Sequence, residues 1–284
     1  MAQIRADVVR FDRPDGGVDY HDPLLARVRR FDTADPPEAA LRAALLLEGP
    51  EIARLRQAAY TALVSAEPRQ VCWTEDAPPP AIWAQAPALP PEVAAPWHAP
   101  EPWRRLAEER LAGRRRLVLP GFLGEPAALA ARDALLEGAW IRQETAHIAA
   151  DRADLAQMAP PLAALDVLLR SPVLRDLLGA ALGVGLPDRL QMNAWRLGPG
   201  DRIRAHPDGH RYAATFALGL NPGWAARDGG AIAFGEPAPG GLAVTERWLP
   251  FLGDLCCFVP DHDTWHVVEP PSRPRITVSG WWCL

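Results

Sequence analysis

Apolar and polar positions change their rhythm along this chain, and the changes divide it. Before residue 77 the apolar residues recur at helical spacing. Asp22-Pro23 reads as cap and first turn of a short helix over Leu24–Arg30. Asp35-Pro36-Pro37 opens a second, PEAALRAALLLEG, stopped by Gly49. A third, EIARLRQAAYTALVSAE, carries the row Ile52, Leu55, Ala59, Leu63. From Ala77 to Pro102 proline is dense, which fits neither a helix nor an interior strand. Trp83, Trp97 and Trp103 nevertheless predict a segment packed along a surface rather than a free linker. Beyond it the spacing predicts a helix over Trp103–Gly113, a strand over Arg115–Leu119, a helix over Glu125–Glu137, and a helix over Val173–Leu182 introduced by Ser171-Pro172.

From Arg189 onward the period shortens to that of strands. LQMNAWRL, RIRAH, RYAATFALGL, GAIAFG, VTERWLPF, LCCFV, HVV and PRITVSGWW are short extended runs separated by Gly, Pro and Asp turns. Runs at this spacing predict an antiparallel sandwich or barrel. The expected organisation is a helical N-terminal extension (1–76), a proline-rich packed linker (77–102) and a mainly β domain with flanking helices (103–284), a double-stranded β-helix or jelly roll.

Composition narrows the chemistry. The 284 residues include no lysine, so every basic residue is arginine. Schiff-base catalysis, pyridoxal phosphate attachment and a Walker A lysine are therefore excluded. The net charge is −5 and there is no basic tract, which argues against a nucleic-acid partner. No apolar run approaches the ~20 residues that span a bilayer, and the N-terminus lacks the apolar core of a secretory signal. Cys72, Cys256, Cys257 and Cys283 show no CxxC spacing, and the adjacent Cys256 and Cys257 would face opposite ways on a strand. Reduced thiols and a cytoplasmic location are the expectation.

The chemistry-bearing pattern is His206-Pro207-Asp208, followed by His266 and then Arg275. Alternate residues of a strand share a face, so His206 and Asp208 can address one metal, and His266 completes two imidazoles and a carboxylate. That facial set leaves coordination positions open and suits non-heme Fe(II) oxygenases. Two oxygens of a 2-oxo acid and then O2 can fill those positions. The far carboxylate of the acid needs a cation, and Arg275 offers a planar fork. Thr277, two positions on, faces the same way and adds a hydroxyl. His262 competes with His266, but only His266 keeps the nine-residue step to Arg275. Arg273 lies before Pro274 in a turn, and His210 is assigned to the surface or substrate side. Gly229-Gly230 permits a bend or close approach.

These residues carry a family resemblance. The segment from about Pro120 to Leu284 resembles the 2-oxoglutarate/Fe(II)-dependent oxygenases, particularly the prolyl-4-hydroxylase-like branch. The likeness lies in the opening LPGFLGEPAALAARDALLEGAW, the H-x-D pair, LNPGW at 220–224, Gly229-Gly230 with AIAF, and the closing H-x8-R-x-T-x3-W. It implies iron ligands His206, Asp208 and His266, with Arg275 on the C5 carboxylate of 2-oxoglutarate. It implies Fe(II), 2-oxoglutarate and O2 as reactants, ascorbate as a supporting reductant, and hydroxylation of an unactivated C–H bond with release of succinate and CO2. Relatives often place a tyrosine in the strand before H-x-D. Here that strand offers Trp195, with Asn193 or Gln191 as substitutes for the co-substrate contact. An aspartate at 208, where related halogenases have a small residue, disfavours halogenation.

The resulting expectation is a dioxygenase acting on an amino acid or an amino-acyl residue of a peptide or protein, proline first. No nucleic-acid or membrane partner is expected, and the N-terminal extension is a candidate for substrate recognition or homo-oligomerisation. The competing readings are a metal-containing jelly-roll binding module without turnover, and a cupin-like metal enzyme that does not use 2-oxoglutarate.

Overall fold

Among the described residues, eleven strands curl into one continuous antiparallel sheet and four α-helices pack into one core with it. The computed structural model describes residues 9–12, 18–22, 27–31 and 86–284, apart from residues 115, 146, 154, 156–158, 209–211, 239–240 and 261–263. Within the N-terminal part, β1 (Val9–Asp12), β2 (Val18–Asp22) and β3 (Arg27–Phe31) form a small antiparallel sheet in that order. The helix expected over Leu24–Arg30 is therefore a strand from Arg27 onward. VRFD, VDYHD and RVRRF each carry β-branched or aromatic residues, and RPDGG between the first two is a turn composition, so ladder pairing overrides the local helix signal. The other two helices predicted before residue 77 lie outside the described residues, as does Trp83.

The described part of the proline-rich segment packs as expected. Trp97 is buried and its indole donates to Pro120 O at 3.2 Å, while the fully buried Trp103 donates to Trp97 O at 2.9 Å. Proline does not exclude helix here, because it falls in first turns where no N–H is needed. A 3-10 turn spans Ala95–His98, and α1 runs from Pro100 to Leu111, three residues earlier than expected. Next come β4 (Arg116–Leu119) and α2 (Glu125–Glu137). The sequence pattern missed β5 (Ile141–Glu144), β6 (Ile148–Ala153) and α3 (Pro160–Leu169). In α4 (Pro172–Leu182) the Ser171 hydroxyl accepts from Leu174 N at 3.2 Å, and Gly183 closes the helix at φ +70°.

The strands predicted from residue 189 onward all form: β7 (Leu190–Leu197), β8 (Arg202–His206), β9 (Tyr212–Gly219), β10 (Ile232–Ala238), β11 (Gly241–Trp248), β12 (Leu255–Phe258), β13 (His266–Val268) and β14 (Arg275–Cys283). The sheet order is β11-β10-β13-β8-β6-β7-β14-β9-β12-β4, with β5 paired to β6, which gives a jelly-roll-like half-barrel. Strand alternation sorts the two sides. Ile276, Val278 and Trp282 of β14 join the core under the helices with Leu162, Leu174 and Leu177, whereas Trp195, Leu197, Ile232, Phe234 and Phe258 line the inside of the roll. Cys256 and Cys257 split between these two cores, as their adjacency requires, and both are reduced. Among the described residues no helix is long and apolar enough to cross a membrane.

Candidate metal and co-substrate site

The ladder between β8 and β13 makes His206 and His266 direct Cα partners, so two positions far apart in the chain share one rung. His206 is the last residue of β8. Pro207, with no N–H to offer, ends the ladder, and Asp208 lies beyond the strand rather than on it. The turn still brings the carboxylate back. Asp208 Oδ1 lies 3.6 Å from His206 Nε2, and Oδ2 lies 3.9 Å from His266 Nε2. The three donor atoms fall within 4.8 Å of one another, the one such group of His, Cys, Asp or Glu among the described residues.

Backbone carbonyls set both imidazole tautomers. His206 Nδ1 donates to Arg204 O at 2.8 Å, and His266 Nδ1 donates to Thr264 O at 2.9 Å. A carbonyl can only accept, so each Nδ1 carries the proton and each Nε2 keeps its lone pair toward Asp208. Burial would raise the Asp208 pKa, but the imidazoles of His266 and His206 outweigh it and hold the carboxyl well below the usual range. Burial pushes His266 down to about 4, so its ring is neutral at neutral pH. Asp208 Oδ2 is buried with no hydrogen-bond partner. A carboxylate with one orphaned oxygen, facing two imidazole lone pairs, fits a divalent cation, and two nitrogens with one carboxylate fit Fe(II).

A cavity of about 80 Å³ opens beside these three residues, and Arg275 and Thr277 line it. Arg275 is 1% exposed, and no carboxylate among the described residues pairs with it. Its Nε donates to Gly230 O at 2.7 Å and its NH1 to Thr277 Oγ1 at 3.0 Å. Burial alone pushes its pKa down to about 9. The guanidinium is thus charged at neutral pH, buried, and turned toward the cavity without a counter-ion. Thr277 Oγ1 accepts from Arg275, so its own proton is left to donate. Arg273, the competing cation, is pinned outside by Gly223 O, Pro222 O and Asp228.

The register also decides among the candidates on β7. Trp195 is the Cα partner of Thr277 and lines the cavity. Asn193 pairs with Ser279, does not itself line the cavity, and is half-buried, while Gln191 is exposed. Of the two β7 candidates, Trp195 lines the cavity and Asn193 does not. His210 and His262 lie outside the described residues.

Two residues escaped the sequence reading. Thr215 of β9 is buried and lines the cavity; its hydroxyl approaches Asp208 without completing a hydrogen bond and has no other partner. The signal was the one threonine in the otherwise apolar and aromatic run YAATFALG. The ring of His147 stands edge-on to His206 with centroids 4.6 Å apart. Nothing in its local sequence marks it.

Residues 190–283 match the family model of the 2OG-Fe(II) oxygenase superfamily. Among solved structures the chain is similar to a prolyl-4-hydroxylase from Pseudomonas putida, with 26% identity over 64% of this chain and 98% of that one, TM-score 0.49. It is also similar to a prolyl hydroxylase from Trichoplax adhaerens in complex with a hypoxia inducible factor peptide fragment, with 16% identity over 68% of this chain and 94% of that one, TM-score 0.55. No curated protein matches the chain. The matched residues 190–283 carry the three candidate ligands and Arg275, and the fold around them is similar to that of the Trichoplax prolyl hydroxylase.

Proposed function

We propose that this protein is an Fe(II)- and 2-oxoglutarate-dependent dioxygenase. Its reaction hydroxylates an unactivated C–H bond of an amino acid or an amino-acyl residue in a peptide or protein and releases succinate and CO2. His206, Asp208 and His266 would hold the iron, and Arg275 with Thr277 would hold the C5 carboxylate of the co-substrate. The observation that carries this reading is the buried, unpaired Arg275 in the same cavity as the ligand triad. A binding module or a cupin-like enzyme has no use for a desolvated cation at that place. Proline in a peptide is the first substrate to test, because the Trichoplax relative of like fold is a prolyl hydroxylase bound to a peptide fragment.

Fe(II) with bound 2-oxoglutarate and O2 supplies the oxidising power for the C–H bond. The chain's own residues bind, orient and keep out water. Arg275 and Thr277 fix one end of the co-substrate by charge-assisted hydrogen bonds. Trp195, Ile148, Ile203, Phe258 and Val268 make the walls apolar. The test is release of labelled CO2 from 2-oxoglutarate by the full chain with Fe(II) and ascorbate, together with a +16 Da product among proline-containing peptides and free amino acids. Activity that survives His206→Ala would overturn the assignment. A product that gains chlorine in chloride buffer would replace hydroxylation by halogenation.

A further inference from the structure

The segment between β9 and β10 contains LNPGW and the Gly229-Gly230 pair, two motifs with no chemistry of their own in the reading above. Asn221 is 3% exposed and brackets Ile276, the neighbour of Arg275. Ile276 N donates to Asn221 Oδ1 at 2.7 Å, and Asn221 Nδ2 donates to Ile276 O at 2.9 Å. Trp224 Nε1 donates to Gly229 O at 3.1 Å. The Arg273 guanidinium lies on the Trp224 ring, 4.4 Å from its centre, and donates to Gly223 O, Pro222 O and Asp228. Gly229 bridges to Pro271, and Ser272 N donates to Asp228 O at 2.8 Å. The turn is thus tied at several points to the residues that lead into β14.

These ties flank one carbonyl, Gly230 O, which receives Arg275 Nε at 2.7 Å. Gly230 has φ +67°, and a Cβ there would stand 2.9 Å from Arg275 Cδ and 3.2 Å from both Trp224 Cζ2 and Pro271 Cβ. Only glycine allows the turn and the arginine stem this approach. With Nε on Gly230 and one NH1 hydrogen on Thr277, the terminal edge of the guanidinium remains to meet a carboxylate end-on. Moving Gly230 O would rotate that edge.

We propose that this turn is a clamp in which Gly230, Trp224 and Arg273 are positioning residues for Arg275, setting affinity for the distal carboxylate of 2-oxoglutarate without touching it. The proposal rests on the dioxygenase reading. It assigns a physical role to GG and LNPGW: they aim the cation.

The test compares two 2-oxo acids, 2-oxoglutarate and pyruvate, which lacks the distal carboxylate. Both are titrated by calorimetry into the full chain loaded with redox-inert Zn(II), and Zn(II) affinity is measured by chelator competition. Gly230→Ala is expected to weaken 2-oxoglutarate binding at least tenfold, with pyruvate and Zn(II) within twofold of wild type. A smaller loss of the same kind is expected for Trp224→Phe and Arg273→Ala, which each remove a tie and add no bulk. If Gly230→Ala does not fold, these two variants decide alone. An unchanged 2-oxoglutarate affinity, or an equal loss for all three probes, overturns the clamp. Loss in Arg275→Ala with normal binding in Gly230→Ala sinks the clamp and leaves the dioxygenase reading standing. A wild-type protein with no affinity for 2-oxoglutarate overturns both.

Discussion

Replacing Arg275 by methionine separates what this residue does for the fold from what it does for the co-substrate. Methionine fills a similar volume and carries no charge. Arg275 is 1% exposed, and its pKa is held at about 9 by burial, roughly three to four pH units under the ordinary arginine value. At ~1.4 kcal/mol per pH unit, the cost of keeping this charge buried has a ceiling of roughly 5 kcal/mol. At neutral pH, below both the folded and unfolded values, the guanidinium is charged in both states, so the folded state carries that cost in full. Methionine removes it, but leaves Gly230 O and Thr277 Oγ1 without their donor, at about 1–3 kcal/mol each. The two effects nearly offset. In the absence of 2-oxoglutarate the variant should therefore melt within several degrees of wild type, at ~2–4 °C per kcal/mol for a domain of this size. Binding should not be spared. Loss of the buried partner of a carboxylate costs about 3–5 kcal/mol, or roughly a hundred- to several-thousandfold in affinity. Thermal unfolding of the Zn(II)-loaded protein with and without 2-oxoglutarate reads both quantities. At a hundredfold excess over Kd the ligand should stabilise wild type by roughly 2.7 kcal/mol and the variant by nothing measurable. If Arg275→Met unfolds without ligand, the guanidinium is a structural tie. If it keeps the ligand response, the carboxylate binds elsewhere.

The remaining predictions concern the metal. Thr215→Val keeps the shape of the side chain and removes the hydroxyl beside Asp208, so Fe(II) or Zn(II) affinity by chelator competition should fall about tenfold, with Thr215→Ser close to wild type. Chelation should lower the melting temperature of wild type, and the metal-dependent difference should vanish in His206→Ala and Asp208→Ala. Burial holds His266 at about 4, below its ordinary value of about 6.5, so the unfolded chain takes up the proton first as pH falls. The metal-free protein should lose stability between roughly pH 6.5 and 4, and denaturant titrations across that window should show a weaker slope in His266→Gln.

The strands after residue 189 were legible because each carries its own period and is bounded by turn residues. β7, β8 and β13 coincide with LQMNAWRL, RIRAH and HVV residue for residue. β5 and β6 were not legible. IRQE and IAADRA alternate weakly, each opens with a single isoleucine, and the buried positions of β6 are small alanines that pack because β7 and β8 lie alongside. α3 was missed although Pro160-Pro161 mark its first turn, because its Leu162, Leu165, Leu168 and Leu169 follow a stretch with no capping side chain. The short helix expected near residue 24 failed for the reason that small sheets form at all: pairing of β2 with β3 supplies partners for backbone groups that local propensity cannot count.

Residue chemistry and spacing were enough to nominate His206, Asp208, His266, Arg275 and Thr277, because imidazole, carboxylate and guanidinium have few other uses in that order. Several things came only from three-dimensional packing. The rung that joins His206 to His266, the burial of Arg275 without a carboxylate partner, and the pairing of Trp195 with Thr277 all depend on how the strands pack. So does the neighbourhood of Thr215 and Asp208. Register is a property of pairs of strands, and desolvation is a property of everything packed around a group; neither is written in the local order of residues.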